Sequence, residues 1–140
     1  MSDAEIVRVE RVIHAPREDV FDAWTDLARL GAWWGPPGVP VKRLEGELRP
    51  GGRYRIAMQE PAGGERLLEW TFREIDAPRR LVYDWRWLSG SRDASLVVVE
   101  FLDLGDRTRV VVEHAGLPPE SRDSHARGWA GCLENLSAQR

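Results

Sequence analysis

His125-Ala126-Arg127-Gly128-Trp129-Ala130-Gly131-Cys132-Leu133-Glu134-Asn135-Leu136 is where the chain changes period. His125, Trp129, Cys132, Leu133 and Leu136 fall at i, i+4, i+7, i+8 and i+11. That is one apolar stripe of an amphipathic helix. Pro118-Pro119 opens this segment. Gly128 and Gly131 lie inside it, and each costs about 1 kcal/mol relative to alanine in a helix interior. A packing reason is therefore expected: a close approach to a neighbour, or space left beside Trp129.

Working backwards from this helix, the period is two. Residues 108–114 place Val110, Val112 and His114 opposite Arg109, Val111 and Glu113, and Gly105-Asp106 supplies a hairpin-like turn before them. Residues 95–102 place Val97, Val99 and Phe101 on one side. Leu81, Tyr83, Trp85 and Trp87 alternate with Val82, Asp84, Arg86 and Leu88, and Ser89-Gly90-Ser91 closes that strand. Residues 66–75 and 53–58 continue the pattern, with Leu68, Trp70 and Phe72, then Tyr54, Ile56 and Met58, on one face. The turns between are Asp76-Ala77-Pro78-Arg79, Pro61-Ala62-Gly63-Gly64 and Pro50-Gly51-Gly52. Residues 6–14 form the first strand. Pro16 opens a short helix carrying Val20, Phe21 and Trp24. Asp26 caps a second helix carrying Leu27 and Leu30, and Gly35-Pro36-Pro37-Gly38 ends it.

Short connections make successive strands antiparallel neighbours. The expected fold is α+β: a curved antiparallel sheet of about six or seven strands wrapped on a long C-terminal helix, with two short helices after the first strand. The apolar face of the sheet is wider than one helical stripe. Incomplete filling would leave an internal apolar cavity, the usual form of a small-molecule site. A sheet packed solid by its own tryptophans is the alternative that stays open.

Composition bounds the rest. The 140 residues include 31% charged and 42% apolar ones, enough for one domain over 1–140 with a core that needs no staples. Net charge is −3, so a clustered basic surface for nucleic acid or an anionic membrane is not expected. No apolar run approaches a membrane span, and Met1-Ser2-Asp3-Ala4-Glu5 is too polar for a signal peptide. The single cysteine, Cys132, excludes an internal disulfide and suits a reducing cytoplasm. Seven tryptophans are the outlier, to be explained by core, interface or pocket.

Several stretches, in order along the chain, resemble one family. His14-Ala15-Pro16-Arg17-Glu18-Asp19-Val20-Phe21-Asp22-Ala23-Trp24 is similar to the opening helix of the START-like (SRPBCC) helix-grip superfamily. Leu30-Gly31-Ala32-Trp33-Trp34-Gly35-Pro36, Arg49-Pro50-Gly51-Gly52-Arg53-Tyr54 and Glu74-Ile75-Asp76-Ala77-Pro78-Arg79-Arg80-Leu81-Val82-Tyr83-Asp84-Trp85 resemble boxes of one branch, the homologues of the activator of heat-shock protein 90 ATPase. Thr108–His114 and Gly128-Trp129 resemble two more. Trp70 departs from the pattern, since the family usually has a small residue near it, and a tryptophan there is expected to shrink or reshape a cavity. The resemblance implies a helix-grip fold. It also implies relatives that bind hydrophobic ligands, cyclise or dehydrate polyketides, sequester a natural product, or activate a chaperone ATPase. Fold does not choose among them.

The first expectation is a binding module for a small hydrophobic or aromatic molecule. Trp24, Trp33, Tyr54, Met58, Trp70, Tyr83, Trp85, Val99, Val112, His114, His125, Trp129 and Leu133 are expected to line or floor its pocket. The second is a cyclase- or dehydratase-type enzyme with His114, Tyr54 or Tyr83 as its general base. The third, a chaperone-associated interaction protein, is weakened because the family's chaperone activators carry a further N-terminal domain and this chain starts at the fold. Of Trp33 and Trp34, one indole is expected in the core and the other partly exposed at the cavity mouth. Asp84 and Glu69 are expected on the solvated face, with Arg53, Arg55 and Arg86. The three histidines and Cys132 have no metal-ligand spacing. No metal, cofactor or phosphate loop is expected, and the sequence leaves the oligomeric state open.

Overall fold

Alternation with period two needs a partner on each side of the strand and a cover on its apolar face. The computed structural model meets both needs, and it describes residues 6–35, 38–88 and 94–139. The expected turn at Ser89-Gly90-Ser91, the segment Met1–Glu5 and the pair Pro36-Pro37 lie outside the described residues. The elements are β1 (Ile6–Ile13), α1 (Arg17–Thr25), α2 (Leu27–Trp33), β2 (Val41–Gly46), β3 (Arg53–Gln59), β4 (Glu65–Asp76), β5 (Arg80–Trp87), β6 (Ser95–Asp103), β7 (Thr108–Ala115) and α3 (Arg122–Ala138). A single 3-10 turn, Pro119–Ser121, leads into α3.

All seven strands form one antiparallel sheet in the order β1-β7-β6-β5-β4-β3-β2. Neighbours are consecutive in the chain except that β1 pairs with β7. Thr108 fixes that junction by donating its hydroxyl to the Ala15 carbonyl at 2.8 Å. Register shifts at Val41/Arg43 and Phe72/Glu74 interrupt the ladder at two places. Bulges of this kind bend a strand and raise its twist, which helps the sheet curve around a helix.

β2 had no separate signal in the sequence. Val-Lys-Arg-Leu-Glu-Gly shows no clean alternation, and its side chains are at most half-buried. Pairing with β3 at the sheet edge makes it a strand.

The concave face carries the core: Tyr54, Ile56, Met58, Leu68, Trp70, Phe72, Leu81, Tyr83, Trp85, Val97, Val99, Phe101, Val110 and Val112 are all buried. α3 covers it with Trp129, Gly131, Cys132, Leu133 and Leu136, the stripe expected apart from half-buried His125. α1 and α2 close one end. Phe21 and Trp24 meet Phe101 edge-on, with ring centroids 5.2 and 5.6 Å apart. The Asp26 carboxylate caps α2, accepting from the Ala28 and Arg29 amides at 2.9 and 3.3 Å. Gly35 then turns the chain at φ +106°, where a Cβ would meet the Val39 carbonyl at 2.5 Å. Asn135 of α3 holds this corner by donating to the carbonyls of Trp33 and Gly35 at 3.3 and 3.0 Å.

On the convex face Arg53, Arg55 and Arg86 are exposed, as alternation requires. Glu69 differs from expectation, and Asp84 lies on this face as expected but is paired. Glu69 is buried at 8% exposure and accepts from Arg55 at 2.9 Å, and Asp84 pairs with Arg73 at 2.8 Å. Asp84 stays part-exposed on this face, so burial departs from expectation at Glu69 alone. No described helix is long and apolar enough to cross a membrane.

Candidate functional site

The hollow between sheet and α3 is filled unevenly. Trp70 occupies its deep middle. It is fully buried, stacks on Tyr83 with centroids 4.3 Å apart, and meets Trp34 edge-on at 5.0 Å. Trp24 packs on Trp33 at 5.0 Å and stacks on Trp129 at 6.1 Å. This half of the hollow is solid. The other half, towards the β3–β4 hairpin and the start of α3, holds a cavity of about 590 Å³.

Trp34, Met58, Trp85, Trp87, Trp129 and Cys132 form its apolar walls, and Glu60, Glu65, Arg66, Ser124, His125, Arg127 and Gly128 complete the lining. Ser124 and Arg127 are exposed and Glu60, Glu65 and Arg66 half-buried, so this rim is where the cavity meets solvent. The volume lies within the ~300–1,000 Å³ typical of small-molecule sites. Gly128 sits in the wall with open space before it: a Cβ there would meet no heavy atom within 4 Å. Of the two reasons expected for this glycine, room beside Trp129 is the one found.

Of the thirteen residues expected at the pocket, the structure brings Met58, Trp85, His125 and Trp129 to the cavity wall. Trp24, Trp33, Tyr54, Trp70, Tyr83, Val99, Val112, His114 and Leu133 are buried in the core and do not line it. The sequence shows which face each side chain takes, and all nine take the inner one. It does not show that Trp70 and the α1–α2 indoles fill the inner space at their end.

Trp34, Trp87, Gly128, Cys132 and the charged rim were not among those thirteen. Some signals for them were present. Trp87 continues the β5 alternation two residues past Trp85. Ser124, Gly128 and Cys132 form the i, i+4 row beside the Trp129 stripe. Arg66 and Glu65 pair across strands with Met58 and Gln59.

The expected division between Trp33 and Trp34 does not occur: both are buried, at 2% and 4% exposure. Trp33 donates its indole N–H to the Ala23 carbonyl at 2.9 Å, whereas the Trp34 indole N–H is buried without a hydrogen-bond partner. Edge-to-face packing on Trp70 and Trp129 holds Trp34 in place instead.

Two imidazoles lie at this end of the hollow, His125 in the cavity wall and His114 behind it, 5.4 Å apart between centroids. Trp129 donates its indole N–H to His114 Nδ1 at 3.0 Å. An indole nitrogen only donates, so Nδ1 must be the bare nitrogen and Nε2 carries the proton. Nε2 lies 2.7 Å from the Ser95 hydroxyl. Burial, with a smaller push from His125, drives the His114 pKa down to about 3. His114 is thus a neutral acceptor with both nitrogens engaged, tying β6 and β7 to α3.

His125 is the mirror case. Its Nδ1 lies 2.8 Å from the Ser121 carbonyl, which only accepts, so Nδ1 carries the proton. Nε2 then accepts the Trp87 indole N–H at 3.2 Å.

Tyr54 donates its hydroxyl to the Thr25 carbonyl, and burial raises its pKa to about 12. Burial pushes Tyr83 well above its ordinary value. The nearby Trp24 indole N–H opposes this only in part, and neither atom reaches hydrogen-bond geometry. The indole N–H groups of Trp70 and Trp85 are also buried without partners. Cys132 has its thiol pushed up to about 12 by burial, so it is protonated and a poor nucleophile near neutrality. Among the described residues no group of three or more His, Cys, Asp or Glu is placed to hold a metal ion.

Charge at the rim is largely paired. Glu60 bonds Arg66, whose guanidinium also lies 5.6 Å from the Trp87 ring centroid. Glu65 accepts from Arg43 through two bonds of 2.7 and 2.6 Å and pairs with Lys42 at 3.4 Å, which holds its carboxyl down at about 2.

The same architecture recurs in solved structures. Protein CV1439 from Chromobacterium violaceum is similar at 25% identity over 97% of this chain and 96% of its own, with TM-score 0.88. The AHSA1 protein from Silicibacter pomeroyi is similar at 25% identity, over 96% of each chain, with TM-score 0.84. CalU16 from Micromonospora echinospora is similar at 25% identity over 95% of this chain and 74% of its own, with TM-score 0.74. Among curated proteins, none matches this chain in sequence. The family model described as "Activator of Hsp90 ATPase homolog 1-like protein" matches residues 14–139. With nearly the whole sheet, both short helices and α3 inside that match, the chain belongs to the family of activator of Hsp90 ATPase homolog 1-like proteins.

Proposed function

We propose that this protein binds a small apolar molecule with a flat, ring-bearing body in the cavity between β3–β5 and α3. The cavity itself carries the reading: about 590 Å³, walled by four indoles, Met58 and Cys132, and open at a polar rim. Apolar burial would supply the affinity, at roughly 25 cal/mol per Å² removed from water before the cost of association. Indole faces favour planar rings through offset or edge-on contact. A cytoplasmic setting suits the free, buried Cys132.

The enzymatic alternative finds little support at this site. His114, Tyr54 and Tyr83 lie outside the lining, and His114 already has both nitrogens bonded. A role on a chaperone ATPase rests on the family's description alone.

The test is a screen of planar apolar compounds read by tryptophan fluorescence and thermal unfolding. Four of the seven tryptophans wall the cavity, so an occupant should shift or quench emission and raise Tm in the same titration. A library of ring compounds that moves neither signal contradicts the proposal.

A further inference from the structure

Among the described residues that line the cavity rim, one charge has no ion-pair partner, and it is positive. Glu60 is taken by Arg66, and Glu65 is held by Arg43 and Lys42 together. Arg127 lines the same rim from α3, is exposed, and has no ion-pair partner among the described residues, its helical neighbour Asp123 included. The field at the mouth therefore favours an anion. A cation would find both carboxylates occupied, and Arg66 already lies over the Trp87 ring that would otherwise help to cage it.

We propose that the cavity selects amphipathic anions, a flat aromatic body carrying a carboxylate or similar group, with the ring among the indoles and the anionic end held at the rim by Arg127. This rests on the small-molecule reading above and adds the charge of the ligand. Arg127 sits one residue before Gly128, the wall position with open space, so the cationic end and the free volume adjoin on one turn of α3. Guanidinium suits this task because its planar fork matches a carboxylate with two parallel hydrogen bonds.

Two probes share one body and separate the two ideas. 8-Anilino-1-naphthalenesulfonate carries an anionic group, and N-phenyl-1-naphthylamine has the same rings without it. Both are titrated by fluorescence against wild type, Arg127→Gln, and Arg86→Gln as a control with the same change in net charge on the convex face. The expected result is that Arg127→Gln weakens the sulfonate about fivefold. The same variant leaves the neutral probe within about twofold, and Arg86→Gln moves neither. The sulfonate's dissociation constant should also rise with salt in wild type and much less in Arg127→Gln. Equal effects of Arg127→Gln on both probes, or none on either, overturn the charge proposal while leaving the cavity in place. Failure of both probes to bind wild type removes the small-molecule reading, and the charge proposal with it.

Discussion

Two tyrosines with the same inward phase have opposite hydrogen-bond states. Tyr54 gives its hydroxyl to the Thr25 carbonyl, so Tyr54→Phe removes a bond and leaves a buried carbonyl short of a donor. That loss should cost about 1–2 kcal/mol. The Tyr83 hydroxyl is buried with no partner in hydrogen-bond geometry and only the Trp24 indole N–H near it, so Tyr83→Phe removes little beyond a desolvation cost. It should be neutral or stabilising by up to about 1 kcal/mol. Urea unfolding of the two variants beside wild type measures both. Equal destabilisation would contradict these assignments. The sequence shows that both rings point inward, because strand phase fixes the face. It does not show which hydroxyl finds an acceptor, since Thr25 lies on a helix that reaches Tyr54 only through the tertiary fold. The unpartnered indoles of Trp24, Trp34, Trp70 and Trp85 belong to the same case.

At the scale of elements, α3 was the most legible piece and β2 the least. The spacing of Trp129, Cys132, Leu133 and Leu136 sets the buried stripe of α3 without reference to anything else. β2 exists because β3 offers an edge for it to pair with. Gly128 makes a quantitative point about α3. It has an ordinary helical backbone and empty space at its Cβ position. Gly128→Ala should therefore stabilise the protein by about 1 kcal/mol, combining higher helix propensity with a less flexible unfolded chain. A rise in the urea midpoint with unchanged m checks this. A fall would mean that the space beside Trp129 is not free in solution.

Across the whole molecule, the His114 link between β6, β7 and α3 makes stability depend on pH. The folded pKa, about 3, lies below the ordinary 6.5, so the unfolded chain binds the proton more readily. Above pH 6.5 the group is neutral in both states and folding is unopposed. As pH falls through the window from 6.5 to 3, stability is lost at up to about 1.4 kcal/mol per pH unit. In His114→Gln this slope should disappear between 6.5 and about 5, a range in which most carboxylates stay ionised. Identical slopes in the two proteins would remove His114 as the cause. The fold at this scale was legible because alternation, turns and one helical stripe agree with one another. The position of the cavity was not. It depends on how seven indoles share one concave face, and Trp70 settles that by filling the deep half and leaving the rim end open.

Ligand binding needs that rim-end space to be open to solvent. Gly128→Phe directs a ring into it from a wall position whose Cβ has no heavy atom within 4 Å. N-Phenyl-1-naphthylamine binding, titrated by fluorescence on wild type and on Gly128→Phe of equal or greater Tm, tests it directly. Saturable binding to wild type and at least about a tenfold loss in the variant are expected. Binding of equal strength to both proteins would contradict binding in this cavity.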